Sequence, residues 1–212
     1  MNLVKFINLI QNLSWIRQIQ KVDHEISEKL SPLYFMKPIS AIMNIISLSC
    51  SWTICFPLYF LILLITIYNN YEKQYFLIFY HLVTAEIIQL SIIIPLRYLV
   101  RRPRPIPDLP FTFLEKWKLY PFWKIYAFLE GWNRYSFPSL HASRAFLLCI
   151  IIYNGLAIYN MNGIIYLVIL IFASITVSFS RLVLQRHFLS DVITGAMVGI
   201  TSSFAALKYC FL

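Results

Sequence analysis

Charge is scarce in this sequence. Only 13% of its 212 residues are Asp, Glu, Lys or Arg, against about 25% in a soluble domain. Because 59% of the residues are hydrophobic and lie in long unbroken blocks, an ordinary water-soluble globule is excluded. Acid is scarcer than base: nine Asp and Glu stand against eighteen Lys and Arg, a net charge of +9. The nine acids form no cluster suited to magnesium, so no metal or other cofactor is expected. The four cysteines, Cys50, Cys55, Cys149 and Cys210, sit in apolar segments without metal-ligand spacing and read as small buried hydrophobes. The start does not read as a secretory leader either. The first thirty residues carry Lys5, Arg17, Lys21, Asp23, Glu25, Glu28 and Lys29 and have neither a long apolar core nor a cleavage site. There are no internal repeats and no low-complexity linker, and the length suits one domain.

What is present is hydrophobicity in lengths that match a bilayer, about 20 residues per span. Ile39–Tyr68 is apolar for 30 residues and includes Pro57. It reads as one span with a shorter approach segment. Tyr75–Leu99, His141–Tyr159, Gly163–Phe179 and Asp191–Leu212 read as four more. The expected fold is an all-α polytopic transmembrane bundle of five spans, or six if the residues around Pro38–Cys50 also cross. Before it, residues 2–21 place Leu3, Phe6, Ile7, Ile10, Leu13 and Ile16 at helical spacing. That pattern suits a helix lying in the membrane interface or one packed on the surface of the domain. The division expected is residues 1–35 as an N-terminal amphipathic segment and 36–212 as the transmembrane domain.

Base is unevenly distributed. Seven of the 18 Lys and Arg fall between Arg101 and Arg134, in a loop that also carries Trp117, Tyr120, Trp123, Tyr126 and Trp132. Trp and Tyr favour the headgroup layer, so this loop is expected in the interface near the substrate entrance.

Three polar clusters stand at span ends that alternating helix direction brings to one side. The first is Arg97, Arg101, Arg102 and Arg104, followed by Pro105. Arginine forks suit phosphate oxygens, although arginines at a helix end also snorkel. The second is Pro138-Ser139-Leu140-His141, a helix-start signal whose amides suit an anion, or simply a cap. The third is Ser180-Arg181 followed by His187 and Asp191. The last two are four apart and share a helical face, where a carboxylate can hold an imidazole in one tautomer and leave the other nitrogen to attack. Glu86 and Gln89 lie inside the second span. Glu86 is 11 residues before Arg97, about 16 Å along a helix, and is read as a structural partner within the bundle.

In this order the clusters resemble the signature of the type 2 phosphatidic acid phosphatase superfamily: Lys-x6-Arg-Pro, Pro-Ser-Gly-His, and Ser-Arg-x5-His-x3-Asp. Here they stand as Arg97-x6-Arg104-Pro105, Pro138-Ser139-Leu140-His141, and Ser180-Arg181-x5-His187-x3-Asp191. The third matches at every fixed position. Arg97 replaces Lys and keeps the charge. Leu140 replaces Gly and is expected to add bulk beside the phosphate. The resemblance covers residues 75–200.

It implies a membrane phosphatase in which His187 attacks phosphorus, Asp191 orients His187, and His141 protonates the leaving oxygen and then activates water. Arg97, Arg104, Ser139, Leu140 and Arg181 would bind the phosphoryl group, without metal. The run from Ser136 to Ala145 also resembles isoprenoid diphosphate phosphatases of the superfamily, which puts Arg144, and beside it Arg102, forward as ligands for a second phosphate and favours a polyprenyl diphosphate. Phosphatidate, phosphatidylglycerol phosphate and lipid A phosphates remain alternatives. So does phosphotransfer to another lipid, or an inactive scaffold or transporter. The expected partners are a membrane lipid and the bilayer, with no nucleic acid. Family practice puts the site on the non-cytoplasmic face, whereas the basic loop, read by charge alone, points to the other.

Overall fold

The computed structural model describes residues 14–68, 73–106, 135–158, 160–161 and 163–210. These residues form helices α1 (Ser14–Phe35), α2 (Lys37–Leu48), α3 (Trp52–Tyr68), α4 (Lys73–Val100), α5 (Leu140–Ile158), α6 (Ile164–Val183) and α7 (Leu189–Cys210), with no strand among them. Among the described residues four helices are long and apolar enough to cross a membrane, within Phe76–Val100, Leu140–Ala157, Ile164–Val183 and Leu189–Lys208.

The apolar stretch from Ile39 to Tyr68, expected as one span with a shorter approach segment, is divided between the 12-residue α2 and the 17-residue α3. At the break the hydroxyls of Ser49 and Ser51 donate to the carbonyls of Ile46 and Leu48 (both 2.7 Å). Such local bonds compete with continuation of a helix, an effect that a hydropathy window does not register. Most of the amphipathic segment expected at residues 2–21 lies outside the described residues; from residue 14 the chain is helical, as α1 (Ser14–Phe35). α1 packs against α2, α6 and α7. Its Leu30 joins a buried cluster of Ala142, Leu182 and Val192.

α5 forms the centre, packed against α7, α6 and α4. Apolar side chains outside the core, such as Ile169, Phe172, Ile175, Ile193 and Met197, are exposed, as a lipid-facing surface requires. Without a hydrophobic drive between helices in lipid, close association needs small residues at the crossing. Gly195 and Gly199 of α7 supply them against α5. A Cβ at Gly195 would lie 2.3 Å from the Ser139 carbonyl oxygen, and one at Gly199 2.0 Å from that of Ser143. Neither obstacle is a side chain that can turn aside. Gly199→Ala is therefore expected to cost at least the upper end of the roughly 1–3 kcal/mol usual for overpacking. A lowered melting temperature in detergent, with loss of activity because α5 and α7 both start at the candidate site, would show it.

Candidate active site

Three chain segments meet where α4 ends and where α5 and α7 begin. Main-chain bonds join them: Ser136 N–H donates to the Arg102 carbonyl (2.8 Å), Ser139 N–H to the Asp191 carbonyl (3.0 Å), and Ile106 N–H to the Gln185 carbonyl (3.4 Å). Each helix start has a local reason. Ser139 caps α5, its Oγ accepting from Ala142 N–H (3.5 Å). Asp191, in the first turn of α7, reaches back to accept from Phe188 N–H (2.8 Å), one half of a capping box. Arg97 and Arg181 occupy the last turns of α4 and α6, where the helix dipole favours a cation.

His187 sits in the turn between α6 and α7, buried. Its Nδ1 is 2.6 Å from the Ser136 carbonyl oxygen. A carbonyl can only accept, so Nδ1 carries the proton and Nε2 keeps the lone pair. Sequence reasoning gave this orienting role to Asp191, but the Asp191 carboxylate is 3.9 Å from Nδ1, beyond hydrogen-bond length. Asp191 ties the turn by accepting from Phe188 N–H, while the Ser136 main chain holds the tautomer. Burial first, then the positive charges of Arg181, Arg104 and Arg97, hold the His187 imidazole well below the ordinary histidine range. A neutral ring is the form that can attack.

The cations are gathered by packing. Arg97 is buried and donates from Nε and Nη2 to the Pro138 carbonyl (3.3 and 3.1 Å). Arg181 donates to the Ser47 hydroxyl of α2. His141 feels the charges of Arg181, Arg144, Arg97 and Arg104. Thus His187, His141, Arg97, Arg104 and Arg181 share one electrostatic neighbourhood, with Ser139 at its edge. Among the described residues no three His, Cys, Asp or Glu side chains converge as a metal site.

Three candidates are placed differently from the sequence reading. Arg144 shares α5 with His141, but its side chain is fully buried and turned into the bundle. There Nε meets Glu86 Oε1 at 2.7 Å and Nη1 the Cys50 carbonyl at 2.9 Å, while Tyr59 donates to the same Glu86 oxygen at 2.7 Å. The guanidinium is thus paired inside the bundle, although its charge still reaches His141. Arg102 is held between two carboxylates, Asp191 and Asp23, each at 2.8 Å, and stacks over Phe188 at 4.0 Å. The Leu140 side chain packs with Ile93 and Val198, so its bulk goes into the core and not beside the phosphate; only its main chain could serve a ligand. The aromatic loop at 107–134 lies outside the described residues.

Sequence reasoning missed Ser136, Asp23, Ser190 and Gln185. Ser136 meets His187 through its main chain, which has no side-chain signature, while its buried hydroxyl donates to the Arg102 and Pro103 carbonyls (3.3 and 3.1 Å). The other three join α1 to the turn that holds His187, across more than 150 residues of sequence.

Two solved structures share this fold. The structure of LpxE from Aquifex aeolicus is 20% identical, with a TM-score of 0.61 over 94% of this chain and 99% of that one. The transmembrane PAP2-type phosphatidylglycerolphosphate phosphatase from Bacillus subtilis is 18% identical, with a TM-score of 0.67 over 98% of this chain and 93% of that one. The sequence pattern of the PAP2 superfamily matches residues 74–211, the segment from α4 to the end of α7 that builds the histidine and arginine cluster. This chain therefore belongs to the PAP2 superfamily, the membrane lipid phosphatases of the type 2 phosphatidic acid phosphatase kind.

Proposed function

We propose that the protein hydrolyses a lipid phosphate through a phosphohistidine on His187, with arginine in place of metal. The observation that carries this reading is the 2.6 Å contact of His187 Nδ1 with the Ser136 carbonyl: it leaves Nε2 unprotonated among three arginines. In the first step Nε2 attacks phosphorus, the bond from phosphorus to the lipid oxygen breaks, and His141 gives that oxygen its proton. In the second, His141 takes a proton from water, the hydroxide attacks phosphorus, and the P–N bond breaks to release inorganic phosphate. Arg97, Arg104 and Arg181 offset the charge on the phosphoryl oxygens in both.

A polyprenyl diphosphate is the substrate that Arg144 and Arg102 would have favoured. With Arg144 paired to Glu86 and Arg102 to two carboxylates, the arginines around His187 suit a single phosphoryl group, and we rank phosphomonoester lipids such as phosphatidate first. We place the site at the non-cytoplasmic face, where the family usually carries it.

The test is phosphate release by purified protein in detergent with excess EDTA, on phosphatidate and on a polyprenyl diphosphate. Full activity in EDTA and a higher kcat/KM on phosphatidate are expected. Activity lost in EDTA and restored by magnesium would end the metal-free reading. A preference for the diphosphate would overturn the substrate ranking. Label passing to an added lipid alcohol and not to water would mark a transferase, and no release from either lipid an inactive homologue.

A further inference from the structure

α1 precedes the segment that defines the superfamily, which begins at residue 74, yet it reaches the nucleophile's turn at both ends. Asp23 is 2% exposed, unusual for an acid on a helix whose neighbours are mostly exposed. Its Oδ1 accepts from Ser190 N–H (2.9 Å), and its Oδ2 from the Ser190 hydroxyl (2.6 Å) and from Arg102 (2.8 Å). One helical turn later, Ser27 donates to Gln185 Oε1 (2.6 Å), and Gln185 Nε2 donates to the Ser27 carbonyl (3.1 Å). Gln185 itself has φ of +54°, a left-handed conformation that a residue with a side chain holds at a cost unless its surroundings fix it. Residues 185 and 190 bracket His187, and residues 23 and 27 lie on one face of α1.

Arg102 is the joint. One nitrogen of its fork, Nη1, meets Asp191 Oδ1 and the Ser190 hydroxyl; the other, Nη2, meets Asp23. The other oxygen of Asp191 caps Phe188 and faces His187. Arg102 thus has two anchors, and Asp23 is the one outside the superfamily segment.

We propose that α1 belongs to the catalytic apparatus: Asp23, by holding Arg102 against Asp191, is a positioning residue for His187. The buried carboxylate fixes the fork, the fork fixes the Asp191 carboxylate, and Asp191 fixes the turn in which Nδ1 meets Ser136. This rests on His187 being the nucleophile.

The test compares Asp23→Asn, Asp23→Glu, Arg102→Gln and the double variant Asp23→Asn/Arg102→Gln with wild type in detergent. It measures kcat, KM and acid-labile phosphoenzyme in single turnover on phosphatidate, with melting temperature alongside. Asp23→Asn keeps the shape and removes the charge. It is expected to lower kcat and the rate of phosphoenzyme formation about ten- to a hundred-fold, by analogy with the loss on removing a group that orients a metal-ligating side chain, while KM stays near wild type. Asp23→Glu is expected to recover most of the rate. In the Arg102→Gln background Asp23→Asn should add little, because the joint is already gone. Wild-type kcat in folded Asp23→Asn, or losses that multiply in the double variant, would overturn the proposal. A lowered melting temperature with kcat per folded molecule unchanged would overturn it equally, as the mark of a purely structural contact. Activity in His187→Ala would instead end the nucleophile reading, so the two failures are distinct.

Discussion

His187→Ala protein is expected to release no phosphate and to form no acid-labile phosphoprotein. The His187 ring is the neutral imidazole among Arg181, Arg104 and Arg97, and without it the proposed acceptor of the phosphoryl group is gone. In a comparable covalent mechanism, removal of the nucleophile costs on the order of 10⁶ in kcat. His141→Ala separates the two histidines. Its loss removes a proton donor, so turnover of a lipid with a poor leaving group should fall steeply. A phenyl phosphate whose leaving group needs no proton should still phosphorylate His187, and the phosphoenzyme should accumulate because water is no longer activated. Rapid quench with labelled substrate reads both. Normal turnover in His187→Ala would end the mechanism.

The second large effect concerns stability. Arg144→Met is expected to destabilise the bundle by about 3–5 kcal/mol, the usual consequence of leaving one member of a buried ion pair alone. Glu86 would lose the 2.7 Å partner that faces it inside the helices, and the Cys50 carbonyl would lose its donor. Replacing both charges, as Arg144→Met with Glu86→Met, should recover most of that loss, because well-packed apolar residues often match or exceed a buried pair. Melting in detergent measures both. If Arg144→Met melted like wild type and lost activity on a polyprenyl diphosphate alone, Arg144 would return to the substrate site.

The comparison between sequence and structure turns on how far each side chain reaches. His187 and Asp191 could be placed together from their spacing, since four residues make one helical turn. Arg97, Arg104 and Arg181 could be brought near them because alternating helices bring three span ends to one side. Arg144 shows where that logic stops. Three residues beyond His141, it lies one turn deeper, and its long side chain follows Glu86 of α4. Spacing along α5 carries no information about a carboxylate on another helix. The break at residues 49–51 was hidden for a related reason: a hydropathy window counts serine as mildly polar and is blind to the hydroxyl bonds that end α2. The pair Gly195 and Gly199 was readable, as small residues four apart in an apolar run, and went unread. Asp23 was not readable at all, since nothing local to α1 marks an acid whose partners lie at residues 102 and 190.

The carbonyl that keeps the His187 proton in place has a bearing on how this lineage can vary. A side-chain acceptor is lost to a single base change; a peptide oxygen survives any replacement of its own residue. A replacement at position 136 keeps that acceptor, provided the backbone still runs past His187. That path is tied by the Ser136 N–H bond to Arg102, a bond that every residue except proline can make, and by its buried hydroxyl at the Arg102 and Pro103 carbonyls. The acceptor itself is thus indifferent to residue identity, and the burden of identity falls on the side chains that keep two stretches of main chain side by side.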